Sequence, residues 1–476
     1  MQQPNKINEY LETVRQQIRW KRAQSPVIEE INNHITDQKV AFVSDGLDEE
    51  GATDKAIAEM GDPIVVGEQL DRAHRPRPDW PLLVMTTTML LFGLAIKFWI
   101  YGSFLQQIIW SGIAILVMFV AYFLDFTIIG KYPRILFFAL CVITLASCLF
   151  TEEIQLASTI YLLLLFPTAF AGFVYKMRNE GYGGLILCGA AFIIPTYLAV
   201  LAPIVPSLTV PFLICTSCLI ILTAAVEKGW FNVRKLFAIL IMYISAAVVL
   251  STSFIMTMGE GEVLKKMQEH YLSYLFTAFG RNSNRGREIL NSLLDLDPTG
   301  VEYIRTTIQQ FLSHSKFIGE GLPISDYGGY PAAQLLGANP DFLLTYMIYR
   351  FGWIVLIGII AIFIAFIIRA ILLCKKQKGV LGLLVSIAII STFAVQLMSY
   401  IAFNLGFLLL SPVSLPLISY GGRALVTNMF LIGLLLSVFR TGNLVTDKSG
   451  VSVAKPSHFI HFLSRPEMHK EEVKSD

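Results

Sequence analysis

Charged side chains are scarce in this chain of 476 residues. Asp, Glu, Lys and Arg together make up 15% of it, whereas a soluble globular protein carries roughly 25%. The net charge of +2 gives no reason to expect nucleic acid as a partner. Hydrophobic residues reach 54%, which predicts a protein that lies mostly within a membrane.

Cysteine is also rare, and its placement argues against redox or metal chemistry. The six cysteines lie in or beside apolar runs. Cys215 and Cys218 form a C-x-x-C inside a hydrophobic span without a partner His cluster, so we interpret them as small packing residues. A signal peptide is not expected either, because the first eighty residues are polar. The first apolar run should therefore act as an internal insertion signal.

Residues 1–78 have the pattern of a small soluble helical domain. Apolar residues recur at helical spacing from Ile7 to Trp20 and from Val27 to Ile35, and a third set ends at Gly61. Asp62-Pro63 then predicts the start of a further helix, with an Asp N-cap followed by Pro. This unit of about four helices resembles the permease prefix domain. The resemblance implies a cytoplasmic regulatory or docking module whose partner is unknown.

The rest of the chain predicts an all-α, polytopic membrane fold. A spanning helix needs about 20 apolar residues. The ten candidate runs are 81–100, 105–124, 135–150, 156–175, 184–201, 208–226, 236–256, 341–373, 379–410 and 417–439. The third run is short, and the eighth and ninth are long enough to tilt or project.

Basic residues predict the orientation of these spans. With residues 1–78 inside, the outer connections 101–104, 151–155, 202–207 and 411–416 contain no Lys or Arg. The inner connections contain Lys131, Arg134, Lys176, Arg178, Lys228, Arg234, Lys235, Arg369, Lys375, Lys376, Lys378 and Arg440. Both termini, including the tail 441–476, are then cytoplasmic. Residues 257–340 form an outer loop of about eighty residues, a length that is usually functional or disordered.

The start of the last apolar run is unusually broken. Pro416, Ser419, Tyr420, Gly421 and Gly422 cluster there. Non-helical backbone at membrane depth is tolerated only where it is buried in protein or lines a cavity. The cluster therefore predicts either a built site or an ordinary helix start with a Pro and a flexible Gly pair.

These features together resemble the SEDS family, the FtsW, RodA and SpoVE group, over roughly residues 79–440. They are the ten spans, the large outer loop, an acid (Asp341) at the start of the eighth span, and Leu-Pro-Leu-Ile-Ser-Tyr-Gly-Gly at the tenth. The resemblance implies a bacterial cytoplasmic-membrane protein that polymerises glycan strands from lipid II, an undecaprenyl-linked precursor, at the outer leaflet. It also implies a class B penicillin-binding protein as partner and a role in cell shape, division or sporulation.

The resemblance carries functional roles onto individual residues. The family acid falls on Asp341, and a Gly-x-Gly loop motif falls on Gly319 and Gly321. Two further motifs fall loosely on residues 155–158 and 206–209.

A carboxylate partly removed from water, such as that of Asp341, can act as the base for an acceptor hydroxyl. A helix N-cap is the alternative for this residue.

The pyrophosphate leaving group of such a reaction needs cationic stabilisation. Arg423 is one candidate, and Arg281, Arg285 and Arg287 in the outer loop are others, unless they are merely solvated. The pair Gly421 and Gly422 would let backbone N–H groups approach phosphate or sugar closely. The residues identify no cofactor, and a requirement for a divalent cation is left open.

Several positions depart from the family pattern. Tyr349 and Arg350 stand where the family has paired glutamates, and Glu320 stands where a Lys is expected. Ser158 replaces a Glu, Ser207 an Asp and Arg423 a Ser. We expect Arg350 to line the substrate site or to have a partner other than Asp341, because a charge in a span is a functional candidate. Three hypotheses follow: a divergent glycan polymerase, a lipid-linked precursor transporter, and a non-catalytic scaffold.

Overall fold

All the regular secondary structure in the part of the chain that the structure describes is helical. This computed structural model describes residues 6–74, 78–101, 105–150, 161–201, 209–259, 301–324, 340–407, 413–419 and 421–442. These ranges contain helices, turns and irregular connections, and no β-strand. The predicted all-α fold class is confirmed.

The first four helices build the polar N-terminal region. They are α1 (Lys6–Gln17), α2 (Lys21–Ser44), α3 (Glu49–Met60) and α4 (Pro63–His74). Apolar side chains such as Val14 and Ile35 form an apolar core shared by these helices. Gly61 ends α3 with φ = 83°, a conformation that suits glycine. The Ile64 amide donates to Asp62 Oδ1 at 2.8 Å, so the predicted Asp cap is present.

Most of the remaining helices are apolar over most of their length. In chain order they are α5 (Trp80–Tyr101), α6 (Leu105–Phe123), α7 (Thr127–Lys131), α8 (Pro133–Phe150), α9 (Phe166–Met177), α10 (Gly181–Leu201), α11 (Thr209–Glu227), α12 (Lys235–Gly259), α13 (Val301–His314), α14 (Leu343–Phe351), α15 (Ile354–Lys375), α16 (Val380–Asn404) and α17 (Gly422–Thr441). Eight helices in the described ranges are long and apolar enough to cross a membrane. The third and fourth predicted spans correspond to two shorter apolar segments. These are Pro133–Ser147, which lies within α8, and Tyr161–Met177, which includes α9.

One helix lies at the centre of this bundle. In α16, 78% of the spanning segment is buried by other helices, against 22% in α6. Ser386, Thr392, Gln396 and Ser399 of α16 are polar and buried. Helices such as α6 expose most of their apolar surface, as expected of segments that face lipid.

The eighth predicted span, 341–373, is not one helix. It is divided into a 3₁₀ turn, Pro340–Phe342, the short helix α14 and the spanning helix α15. Gly352 separates the two helices with φ = 97°. The amides of Trp353 and Ile354 donate to the carbonyl oxygens of Lys316 and Phe317 at 3.1 Å each. The helix is interrupted here because carbonyl groups of the segment after α13 accept the hydrogen bonds that a continuous helix would have accepted internally.

The tenth predicted span, 417–439, begins later than predicted. Residues 413–419 are not helical, and α17 starts at Gly422. The broken sequence is therefore a structural element in its own right, and it precedes the last helix.

Candidate functional site

The segment 413–419, here called the break, is buried along its whole length. Leu417 has φ = 65°, a conformation that non-glycine residues rarely adopt. Turn hydrogen bonds join the Ile418 amide to Pro416 O at 2.8 Å and the Ser419 amide to Leu415 O at 3.1 Å. A Cβ on Gly93 of α5 would lie 2.6 Å from Ile418 O, so α5 packs directly on the break. The irregular backbone is thus enclosed by protein, as its depth requires.

The two glycines after the break differ in what they contact. A Cβ on Gly422 would overlap the ring of Trp110 in α6, so only glycine fits there without a shift of that ring. A Cβ on Gly421 would meet only the Ala424 side chain, at 3.7 Å. Helix packing therefore explains Gly422, while Gly421 stands at the open N-terminal end of α17. Tyr420 lies outside the described residues.

Asp341 lies in the 3₁₀ turn that precedes α14, and it is half-buried. The last residue of α16, Asn404, holds this turn. Asn404 Nδ2 donates to the backbone oxygen of Asp341 at 3.0 Å, and Asn404 Oδ1 accepts from the Thr345 amide at 3.0 Å. The Thr345 hydroxyl donates to Asn404 O at 2.9 Å. The capping hydrogen bond to the Thr345 amide thus comes from another helix.

Two tyrosines connect Asp341 to the break and to Arg423. Tyr161 lies close enough to Asp341 and Arg423 for the charges of both to act on its hydroxyl, and it lies beside Ser414. The hydroxyl of Tyr400, which is fully buried, interacts with Asp341 and lies beside Ser419. Asp341 and the two ends of the break therefore lie near this pair of tyrosines, and Arg423 lies near Tyr161.

This cluster, called the Asp341 cluster below, contains several residues that the sequence predicted. Asp341, Ser419 and Arg423 come together, and Pro416 lies within the break itself. Tyr161, Tyr400 and Asn404 were missed. The sequence carried one usable signal for them: Gln396, Tyr400 and Asn404 are polar residues spaced four apart inside an apolar run, which places them on one helix face.

Gly319 and Gly321 lie at the other end of α14. Their amides donate to Phe351 O at 2.9 Å and to Tyr349 O at 2.8 Å. A Cβ on Gly321 would lie 2.6 Å from the Tyr349 ring. The nine residues of α14 separate this loop from Asp341 by about 13 Å. These glycines therefore pack the loop onto α14 and do not join the Asp341 cluster.

Arg350 contacts this same loop. Its guanidinium forms an ion pair with Glu320 and lies over the Trp99 ring, 5.1 Å from the ring centroid. Both charged side chains are partly exposed, at 36% for Arg350 and 55% for Glu320. The structure thus supplies the partner that the sequence analysis expected for Arg350. The two departures from the family pattern are reciprocal, because an acid in the loop faces a base in the helix.

Metal-ligand clusters are not found in the described ranges: no three His, Cys, Asp or Glu side chains are grouped to hold an ion there. The arginines at 281, 285 and 287 lie outside those ranges, as do residues 155–158 and 206–208. Cys215 and Cys218 are buried in α11.

Comparison with known proteins matches the C-terminal part of the chain, which contains Asp341, the break and Arg423 but not Tyr161. Residues 310–443 match the family model FTSW_RODA_SPOVE, described as "Cell cycle protein". The curated protein "Probable peptidoglycan glycosyltransferase FtsW" of Trichlorobacter lovleyi is 27% identical over 187 residues, which cover 39% of this chain and 47% of that protein. Its namesake in Geobacter metallireducens is 28% identical over 149 residues, which cover 31% and 38%. The chain thus matches less than half the length of these relatives.

Among solved structures, the rod-shape-determining protein RodA of Thermus thermophilus is similar. It has 15% sequence identity and a TM-score of 0.47, covering 77% of this chain and 97% of that one. A chain from a structure described as a peptidoglycan synthase complex has 17% identity and a TM-score of 0.49, with 77% and 98% covered.

Proposed function

Because the chain belongs to the SEDS family, through a match over residues 310–443, we propose that it is a peptidoglycan glycosyltransferase. The observation that carries the proposal is that an acid, Asp341, and an arginine, Arg423, both lie within electrostatic range of the same tyrosine, Tyr161. Glycosyl transfer from a lipid pyrophosphate needs both kinds of group at one place. A base must take a proton, and a cation must stabilise the charge that leaves.

The proposed reaction assigns one role to each side. Asp341 accepts the proton of an acceptor sugar hydroxyl, whose oxygen attacks the anomeric carbon of the donor. The bond from that carbon to the lipid pyrophosphate breaks, and the electron pair leaves with the pyrophosphate. Arg423 and the N-terminal amides of α17 face the negative charge that develops, since helix N-termini attract anions. The substrate is lipid II or a related undecaprenyl-linked glycan.

The proposed setting follows from the distribution of basic residues. With Lys and Arg inside, the break and Asp341 lie at the outer leaflet, and the helices α1–α4 lie in the cytoplasm. A class B penicillin-binding protein is the proposed partner on the outer side. The helices α1–α4 have an apolar core of their own, which suits a docking or regulatory module for a cytoplasmic partner.

The test is polymerisation of labelled lipid II by the purified chain, compared with Asp341→Asn. The matched control is Asp37→Asn, which makes the same change at an exposed position of α2. We expect polymer from the wild type and the control and none from Asp341→Asn. Equal polymer from all three proteins would remove Asp341 from the mechanism.

A wild type without activity, with or without a divalent cation and a candidate partner, would instead favour the scaffold hypothesis. A leaflet-transfer assay with labelled lipid II separates the transporter hypothesis from both. Transfer without polymer would replace the polymerase proposal.

A further inference from the structure

Helix α16 carries a polar stripe that contacts both the break and the 3₁₀ turn that contains Asp341. The stripe consists of Gln396, Tyr400 and Asn404, which are all fully buried. Gln396 Nε2 donates to Ser414 O at 2.8 Å, at the start of the break. Tyr400 lies beside Ser419, at its end. Buried polar residues in a span are costly and usually functional, so the stripe needs an explanation that an apolar helix face would not.

Asn404 has the most specific contacts of the three. Its side-chain amide makes hydrogen bonds in three directions: Nδ2 to Asp341 O, Nδ2 to Tyr400 O, and Oδ1 from Thr345, at 3.0 Å each. The Thr345 hydroxyl is also within hydrogen-bond distance of Asn404 Oδ1, at 3.0 Å, so its one proton is shared between this oxygen and Asn404 O. These bonds join the backbone of the 3₁₀ turn, the first turn of α14 and the last turn of α16.

The contact to Asp341 is made through its backbone and not through its carboxylate. The carbonyl of Asp341 is held by Asn404, and the chain four residues later is held by the same side chain. The φ and ψ angles between these two points are therefore constrained. They determine where the carboxylate of Asp341 projects relative to Tyr161 and Arg423.

We propose that Asn404 is a positioning residue for Asp341, and that it fixes the backbone from which the catalytic carboxylate projects. The proposal rests on the proposed function of Asp341. A misplacement of about 1 Å can cost on the order of 100-fold in rate. Interhelical hydrogen bonds in a membrane are individually weak contributors to stability. Loss of Asn404 removes several of them, so folding is measured beside catalysis in the tests that follow.

The kinetic test compares Asn404→Leu, Asn404→Asp and Thr345→Val. Leu is close in size to Asn but makes no hydrogen bond, so we expect kcat to fall about 100-fold with KM nearly unchanged. Asn404→Asp keeps the acceptor for the Thr345 amide and should retain more activity than Asn404→Leu. Thr345→Val keeps the backbone bond to Asn404 Oδ1 and should stay close to the wild type. An unchanged kcat in Asn404→Leu, or a loss entirely in KM, would overturn the proposal.

A second measurement does not depend on activity. In Asp341→Cys, the rate of labelling by a thiol reagent reports the position and exposure of side chain 341, with the labelled peptide quantified by mass spectrometry. Adding Asn404→Leu should change this rate several-fold. The control is Ser313→Cys, at an exposed position of α13, whose labelling should not respond to Asn404→Leu.

The two measurements fail separately. A wild type without polymerase activity would contradict the proposed function, while a labelling change at 341 would still support positioning by Asn404. An unchanged labelling rate at 341, with correct folding shown by size-exclusion chromatography, would overturn the positioning proposal.

Discussion

Reversing the charges of the Glu320–Arg350 pair tests whether Arg350 binds substrate or holds the outer loop. Glu320 lies between Gly319 and Gly321, whose amides bond to the last turn of α14. Arg350 lies in that turn and also stacks on Trp99 of α5. We compare Glu320→Arg, Arg350→Glu and the double variant, because only the double variant restores an attractive pair.

The expected magnitudes are small because both side chains are partly exposed. An exposed ion pair contributes about 0.2–1 kcal/mol, and a like-charge pair at the same distance opposes folding by a similar amount. Glu320→Arg should therefore destabilise the chain by about 1 kcal/mol. Arg350→Glu should cost somewhat more, since it also removes the cation–π contact with Trp99, worth about 0.5–1 kcal/mol at an exposed site. The double variant should recover the ion-pair part and not the stacking part.

The assay combines stability with activity. Thermal unfolding in detergent gives the coupling energy of the double-mutant cycle. Polymerisation of labelled lipid II by the same four proteins reports function. If Arg350 holds the loop, the double variant recovers the ion-pair part of the stability, and activity recovers with it. The same measurements at high salt should give a smaller coupling energy, because exposed charges are screened.

Two results would refute this reasoning. A coupling energy of zero would show that the pair makes no contribution to stability. Recovered stability without recovered activity would show that the positive charge at position 350 is itself required, as expected of a substrate-binding arginine.

Two further changes have defined outcomes. Gly422→Ala makes a Cβ overlap the Trp110 ring and should destabilise the α6–α17 contact by about 1–3 kcal/mol. Gly421→Ala is its control, and equal thermal shifts for the two would contradict the packing role. Tyr10 has a pKa raised to about 12 by burial and, secondarily, by the charge of Asp62. The neutral phenol is thus favoured in the folded state, and its contribution is present below pH 10 and lost as pH rises toward 12. In a fragment of residues 1–78, Tyr10→Phe should weaken the loss of helix at alkaline pH, which circular dichroism measures. It should not lower stability at pH 7, because the Tyr10 hydroxyl is buried without a hydrogen-bond partner.

Length and composition were enough to predict the helices and most of the spans. A run of about 20 apolar residues can satisfy its backbone in a membrane only as a helix or in a closed barrel. Local cap signals were equally reliable, since Gly61 and Asp62 act within a few residues of themselves. The break was also visible, because Pro and Gly residues at a span's start contradict a continuous helix.

The divided eighth span was not visible in the apolar pattern. Residues 341–373 are apolar almost throughout, and a single Gly352 does not by itself end a helix. The interruption at Gly352 depends on hydrogen bonds that the Trp353 and Ile354 amides donate to the carbonyl oxygens of Lys316 and Phe317, more than thirty residues earlier. Likewise, Gly422 suggested close approach of a ligand, whereas the structure places the Trp110 ring against it.

The sequence by itself determined the helical membrane fold and drew attention to Asp341 and Arg423, because apolar run length and short motifs are local properties. Only the tertiary structure decided which residues share a site. It brought Tyr161, Tyr400 and Asn404 to Asp341 and placed Gly319, Gly321 and Arg350 at the far end of α14. The physical reason is that these contacts join residues about 30 to 180 positions apart, and such pairings depend on how the helices pack and not on the pattern within any one of them.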